Sequence, residues 1–249
     1  MIIAASAPGN LMLMGEHAVL HGELAIACAV EQRIHVKLET LSSSELQVES
    51  ALASYSDGLD SLKDDPHLRF VLAAVRSVRD QLSCGIRLTI QSEFSHKVGL
   101  GSSAAVSIAT VAALEYLLSR TLDQRSVFLK AKKIMLEVQG RGSGTDLAAS
   151  CYGALIAYRV EPLEIIPLPW TPEIGLYYCG YKTPTPTVLA RVAAEKQRFP
   201  ELYQQLYLLM GQTAESAVEA AKEEDLVRFG QLMNYYQGLM DALGVNDQS

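Results

Sequence analysis

The sequence predicts an α+β fold, in which strands and helices mix without the strict alternation of a doubly wound parallel sheet. Two segments alternate apolar and polar residues with the period of a half-buried strand. Several longer segments repeat their apolar residues with the period of an amphipathic helix. A chain of 249 residues can bury one large core or two modest ones, and we expect two lobes.

The first half of the chain contains both alternating segments, at residues 34–38 and 86–91. A helix is predicted between them, after Pro66, because the apolar residues of 68–82 follow helical spacing. Residues 41–62 are rich in serine and lack a clear period. That composition is typical of an exposed connection or an irregular hairpin.

The second half of the chain is predicted to be mainly helical. A helix from Ala105 to Leu117 has so thin a polar side that it must be largely enclosed, and a second helix covers residues 127–138. Three short strands and then three helices are predicted to follow, at residues 153–160, 163–168, 174–181, 184–198, 201–221 and 225–243.

The composition indicates an ordinary globular protein, with 49% hydrophobic and 20% charged residues. A net charge of −7 gives no general attraction to nucleic acid or to an acidic membrane surface, so neither partner is expected. The uncharged run at 98–114 is expected to be too short and too polar to span a bilayer core of ~30 Å. The apolar start lacks the basic residues of a signal peptide. Four widely spaced cysteines favour buried thiols in a reducing cytoplasm over a zinc site or disulfides.

A glycine-rich segment, Gly99–Ala105 (GLGSSAA), opens the predicted core helix shortly after the second alternating strand. Glycines let backbone N–H groups approach a ligand, and the free amides of a helix N-terminus attract anions, so the segment predicts a phosphate-binding loop. Two other interpretations stay open. The segment could be a glycine turn with Ser102 as the helix cap, or a dinucleotide-binding fingerprint, although the acidic residue that such a fingerprint requires is not at a strand end. The Walker sequence does not occur in the chain.

A second glycine turn, residues 140–144, precedes Asp146 and a run of small residues. Considered alone, an aspartate at such a place is most often a helix cap or a turn residue.

Three segments together resemble the GHMP kinases, the superfamily of galactokinase, homoserine kinase, mevalonate kinase and phosphomevalonate kinase. They are Ala7–Gly22, which contains APGN and GEHAV, the loop Gly99–Ala105, and the segment around Asp146. The resemblance is greatest to the mevalonate kinases. It implies a ribosomal protein S5 domain 2-like lobe at residues 1–165, with the ATP-binding loop, and a ferredoxin-like lobe at residues 166–249.

The resemblance also implies a cytoplasmic enzyme that uses ATP and Mg²⁺ to phosphorylate a small-molecule hydroxyl, with mevalonate in isoprenoid biosynthesis as the expected acceptor. Asp146 matches the family's catalytic aspartate, and Ser103 matches a magnesium ligand. The family's second magnesium ligand falls by spacing on Met135, so the nearby acid Glu137 is assigned instead. The residues implied to bind ATP are Gly99, Leu100, Gly101, Ser102, Ser103 and Ala104.

The first motif of the family, which is the segment Ala7–Gly22 in this chain, departs from the mevalonate kinases at Asn10. They have a lysine there, and asparagine brings no positive charge. Either another cation substitutes, with Lys97 and Lys182 as the candidates, or the activity is altered. The residues expected to bind the acceptor are Glu16, His17, Lys182 and Thr185.

The third glycine-rich motif of the family, of the GAGGGG kind, does not occur in this chain. Its absence predicts a second lobe that is incomplete relative to the family, with weaker nucleotide binding and low activity. Asn10 and the missing motif leave open a nucleotide- or metabolite-binding module with impaired catalysis. The sequence also does not settle the acceptor, so a phosphomevalonate kinase and a sugar kinase stay open as alternatives. The sequence also leaves open whether the chain is a monomer or a homodimer.

Overall fold

A computed structural model of the protein describes residues 1–170, 173–181 and 185–245. The strands are β1 (Ile2–Met14), β2 (Ala25–Thr40), β3 (Glu45–Ser50), β4 (Ser54–Gly58), β5 (Ile86–Ser92), β6 (Leu155–Arg159) and β7 (Glu164–Leu168). The α-helices are α1 (Arg69–Val78), α2 (Ser102–Ser119), α3 (Gln124–Gln139), α4 (Thr145–Tyr152), α5 (Thr185–Arg198), α6 (Pro200–Lys222) and α7 (Leu226–Ala242). This mixture confirms the predicted α+β class.

The chain divides into two compact units. The first unit contains Met1–Asn10 and Ala29–Tyr152, and the second contains Leu11–Cys28 and Gly153–Ser249. The division after Tyr152 lies earlier in the chain than the expected boundary at residue 165, and the GEHAV segment belongs to the second unit.

In the first unit, the strands pair in the order β4, β3, β5 and β2. β2 and β5 are antiparallel, with Val36 opposite Ile90, and β3 runs parallel to β5, with Val48 opposite Leu88. The alternating apolar residues of β2 and β5 lie on one face, as their period of two predicts, and all of them are buried except Ile90, which is half-buried. The serine-rich segment forms the β3–β4 hairpin, which was one of the two structures expected for it.

Helix α2 is the enclosed helix that the sequence predicts. It packs against α1, α3 and α4, and Ala105, Ala109 and Ala113 on it are fully buried. By length and composition alone α2 could cross a membrane, contrary to the expectation that this run is too short. Because half of the helix is buried within the unit, its packing is that of a core helix.

In the second unit, β6 pairs with the first residues of β2 and with β7, antiparallel in both cases. Helices α6 and α7 pack against each other and supply half of the buried residues of an apolar core that includes Met14, Tyr203, Met210 and Phe229. Helices α5, α6 and α7 confirm the three helices predicted for this part of the chain.

The strand predicted at residues 174–181 is wrong. Residues 173–179 form no strand, and Tyr177 is 97% exposed. No other described strand is hydrogen-bonded to this segment, so its apolar residues have no sheet in which to be buried.

The turn after β1 depends on a close approach of two backbones. Gly15 has a φ of 112°, and a Cβ atom at this position would overlap the Cα and Cβ atoms of Ala25. Gly22, seven residues later, has a similar φ of 90° but open space around its Cα. The two glycines therefore share a left-handed conformation and differ in crowding.

We predict that Gly15→Ala lowers the free energy of unfolding substantially more than Gly22→Ala. Gly22→Ala should cost only the left-handed backbone term, roughly 1–2 kcal/mol, whereas Gly15→Ala adds overpacking of about 1–3 kcal/mol. Urea denaturation of both variants measures the difference. Equal losses would show that the approach to Ala25 does not constrain the turn.

Candidate active site

The glycine loop leaves the beginning of α2 open to a ligand. Gly101 is in the left-handed conformation before the helix, and Ser102 is the first helical residue. No side chain caps this end among the described residues, so the interpretation of Ser102 as a cap is wrong. The N–H groups of Ala104 and Ala105 both donate to the carbonyl of Gly101 at 3.0 Å. Uncapped amides and a positive helix end are the features that bind phosphate.

Strand β1 lies directly against the glycine loop. The backbone N–H of Asn10 donates to the carbonyl of Leu100 at 3.1 Å. A Cβ atom on Gly9 would be 2.9 Å from that same carbonyl oxygen, and a Cβ atom on Gly101 would overlap the side-chain amide of Asn10. The glycines of the first and second motifs thus allow two backbones to approach closely.

Asn10 also connects the glycine loop to α4. Its side-chain Nδ2 donates to Oγ of Ser150 at 2.8 Å, and this hydroxyl donates to the carbonyl of Pro8 at 2.8 Å. Asn10 and Ser150 are both 2% exposed. Ser150 lies four residues after Asp146, one turn along the same helix. The buried amide therefore joins the proposed phosphate loop to the helix that carries the proposed base.

Asp146 lies in the first turn of α4, with an exposed side chain. The hydroxyl of Ser143 is 2.9 Å from Oγ1 of Thr145 and accepts the N–H of Thr145 at 3.3 Å. Ser143 therefore bonds the first residue of the helix from two positions before it, and the carbonyl of Gly144 accepts the N–H of Ala148 at 2.9 Å, whereas Asp146 lies inside the first turn. The positive end of the helix attracts its carboxylate.

The structure does not bring Glu137 to the turn before Asp146. Met135 occupies that side of α3, because a Cβ atom on Gly142 would be 2.7 Å from its Cε. Two residues along a helix turn the side chain by roughly 200°, so Glu137 points the other way. Glu137 is exposed, and its Oε1 lies 3.9 Å from Nζ of Lys133. It also lines a cavity of about 650 Å³ beside α1. No group of three or more potential metal ligands occurs within the described parts of the chain.

The structure describes one of the two candidate cations, Lys97. Lys97 lies in an exposed turn between β5 and the glycine loop, where its backbone N–H donates to Oγ of Ser95 at 3.2 Å. Lys182 lies outside the described residues. Thr185 is the first residue of α5, but its side chain also lies outside the described part of the structure.

The expected acceptor residues Glu16 and His17 lie in the turn after β1, in the second unit. His17 adopts a left-handed φ of 60°, which is uncommon for a residue with a side chain. Burial, followed by the charge of His21, lowers the pKa of His17 below its usual value. The hydroxyl of Tyr236 accepts the N–H of Gly15 at 2.7 Å.

Sequence reasoning missed Ser150 and Tyr236 as contributors to these turns. Ser150 belongs to a run of small residues in which no one position stands out, and Tyr236 is one of 11 tyrosines. Each acts through a contact more than 100 residues away in sequence, for which periodicity and motif spacing provide no signal.

Comparison with known proteins places this geometry in a family. The sequence profile of the GHMP kinases N terminal domain matches residues 69–154, which include the glycine loop and Asp146. The mevalonate kinase of Pyrococcus furiosus is 34% identical over 266 residues, which cover 99% of this chain and 79% of that protein. The mevalonate kinase of Archaeoglobus fulgidus is 30% identical over 244 residues, which cover 98% of this chain and 80% of that protein.

Solved structures have the same fold over nearly the whole chain. The Lin0012 protein of Listeria innocua matches with a TM-score of 0.87 and 25% identity, covering 99% of this chain and 81% of that one. The L. major mevalonate kinase in complex with R-mevalonate matches with a TM-score of 0.77 and 26% identity, covering 99% of this chain and 77% of that one. The dinucleotide-binding interpretation of the glycine loop is therefore wrong, and the chain belongs to the GHMP kinases, as an ATP-dependent small-molecule kinase of the mevalonate kinase type.

Proposed function

We propose that this kinase transfers the γ-phosphate of ATP to the primary hydroxyl of mevalonate, which forms 5-phosphomevalonate. The observation that supports the proposal most directly is the Asn10 contact, which joins the uncapped end of α2 to the helix of Asp146. The acceptor is proposed from the relatives, since the P. furiosus protein is named a mevalonate kinase and covers 99% of this chain.

The proposed chemistry needs a base and neutralisation of the phosphate charge. Asp146 accepts the proton of the acceptor hydroxyl while the hydroxyl oxygen bonds to the γ-phosphorus. The bond between the γ-phosphorus and the oxygen that leaves with ADP breaks. The amides of the glycine loop hold the phosphate oxygens. An exposed carboxylate in the first turn of α4 is accessible to such a hydroxyl.

Mg²⁺ is proposed as the ion that accompanies ATP. The hydroxyl of Ser103, in the first turn of α2, is the proposed protein ligand. A single hydroxyl fits an ion that keeps several waters and takes few protein ligands beside substrate phosphates. Glu137 is left out of this proposed site, because its face of α3 is turned away from the Gly142 turn.

The positive charge that Asn10 does not provide is proposed to come from Lys97. Asn10 is buried and neutral, and its amide is already bonded to Ser150. Lys97 precedes the glycine loop by two residues and has an exposed side chain, so its flexible stem can bring the ammonium group to a phosphate.

We predict that Asp146→Asn lowers kcat about 10²–10⁴-fold, the range expected when a general base is removed. The affinity for MgATP should change little, because Asp146 is proposed to contact the acceptor. Coupled ADP release and calorimetric ATP binding measure the two effects. Glu137→Gln is the matched control and should keep normal activity. A module without catalysis would show no loss in Asp146→Asn, and a loss in Glu137→Gln would restore that residue to the metal site.

We predict that Lys97→Ala weakens MgATP binding roughly 10- to 150-fold, since a charge-assisted hydrogen bond to phosphate is worth roughly 1.5–3 kcal/mol. Lys133→Ala, at an exposed lysine on α3, should leave the affinity unchanged. Calorimetry at two salt concentrations distinguishes a local contact from a general effect of charge. Equal affinities for the two variants would exclude Lys97 as the replacement cation.

The acceptor itself is tested by measuring ADP release with mevalonate, phosphomevalonate and galactose in parallel. We expect the highest kcat/KM with mevalonate. A preference for phosphomevalonate or galactose would keep the kinase chemistry and replace the proposed acceptor. The comparison should be made with saturating MgATP, so that weak nucleotide binding does not mask the preference.

A further inference from the structure

The hydroxyl of Tyr236 holds the turn that contains Glu16 and His17. Tyr236 lies on α7 and is 3% exposed. Its oxygen accepts the N–H of Gly15 at 2.7 Å and donates to the carbonyl of Glu16 at 3.4 Å. One side-chain oxygen thus contacts two consecutive residues of a turn that lies 220 residues earlier in the chain.

The turn that Tyr236 holds is strained. Gly15 has a φ of 112° and His17 a φ of 60°, with Glu16 between them. A left-handed residue with a side chain costs free energy and persists only where its surroundings determine it. The carbonyl of Glu16 also accepts the N–H of Ala18 at 2.7 Å, and the carbonyl of Gly15 accepts the N–H of Val19 at 3.0 Å. These backbone bonds lead into the short 3-10 helix Ala18–His21. Tyr236 holds the residues just before that helix, Gly15 and Glu16.

The chemistry of the tyrosine suits a fixed contact. Burial raises the pKa of Tyr236, and the negative charge of Glu16 raises it further. The hydroxyl therefore stays protonated at neutral pH and can accept from one backbone group while it donates to the other. The ring packs in the core of α6 and α7, which fixes the position of the oxygen.

We infer that Tyr236 is a positioning residue for acceptor binding, which acts by holding the backbone that presents Glu16 and His17. The inference rests on the proposed function and on the expectation, from the family resemblance, that those two residues bind the acceptor. Since Tyr236 contacts the backbone of the turn, its effect should appear in the affinity for the acceptor. Neither the affinity for ATP nor the chemical step should depend on it.

Tyr236→Phe tests this inference, because it removes the hydroxyl and keeps the ring. The expected result is a KM for mevalonate raised about tenfold, since a lost buried hydrogen bond changes an equilibrium by about ten. The KM for ATP and kcat should stay within about threefold of the wild type.

Tyr203→Phe is the matched control. Tyr203 is also buried, and its hydroxyl donates to the carbonyl of Leu243 at 3.3 Å, just after α7, rather than to the backbone of Gly15 or Glu16. That variant should lose stability and keep its KM for mevalonate. An unchanged KM in Tyr236→Phe, or an equal rise in both variants, would overturn the inference.

Hydrogen exchange separates this inference from the proposed function. If the wild type does not phosphorylate mevalonate, the proposed acceptor is wrong, but the amide of Gly15 still reports on the contact. The amides of Gly15 and Val19 should exchange at least tenfold faster in Tyr236→Phe and at the wild-type rate in Tyr203→Phe. Unchanged exchange at Gly15 would show that the hydroxyl does not hold the turn, whatever the acceptor.

Discussion

The side-chain amide of Asn10 is the contact on which the candidate site depends. It lies against Gly101 on one side and donates to Ser150 on the other. The phosphate loop belongs to α2 and the proposed base belongs to α4, so their separation is set by how those two helices pack and by what lies between them. A buried amide that is packed against a glycine and bonded to a buried hydroxyl acts as a fixed spacer, because its loss would leave the hydroxyl of Ser150 without its donor.

An asparagine at this position makes a different compromise from a lysine. A lysine brings a positive charge to the phosphates, but a charge at a site 2% exposed carries a large desolvation cost until the ligand is bound. The asparagine holds the glycine loop against α4 without that desolvation cost. The positive charge is then proposed to come from the exposed Lys97. The GHMP kinase chemistry remains available, because most of it depends on position and on backbone amides.

The sequence predicted the parts of the fold that depend on local patterns. The alternation at 34–38 and 86–91, the enclosed helix α2 and the three final helices all follow from residue periodicity. β1 and α4 were missed, because β1 has small residues and no alternation and α4 has only eight residues. The strand at 174–181 failed because a strand also needs a neighbour with which to pair.

The candidate site shows the same division. The glycine loop and Asp146 could be identified from motifs, whereas the roles of Ser150 and Tyr236 depend on contacts between distant parts of the chain. Glu137 was chosen by its charge and its proximity in sequence. Charge and sequence proximity do not reveal the face of α3 on which a residue lies, and Met135, two residues earlier, is the one that contacts the Gly142 turn.

A double-mutant cycle of Asn10→Ala and Ser150→Ala, with MgATP affinity and the free energy of unfolding as readouts, tests the central contact most directly. If Asn10 joins the glycine loop to α4 through Ser150, the two substitutions should be coupled by about 0.5–3 kcal/mol, with the second costing little once the first is made. Additive losses would contradict the account, because they would show that the two side chains act independently.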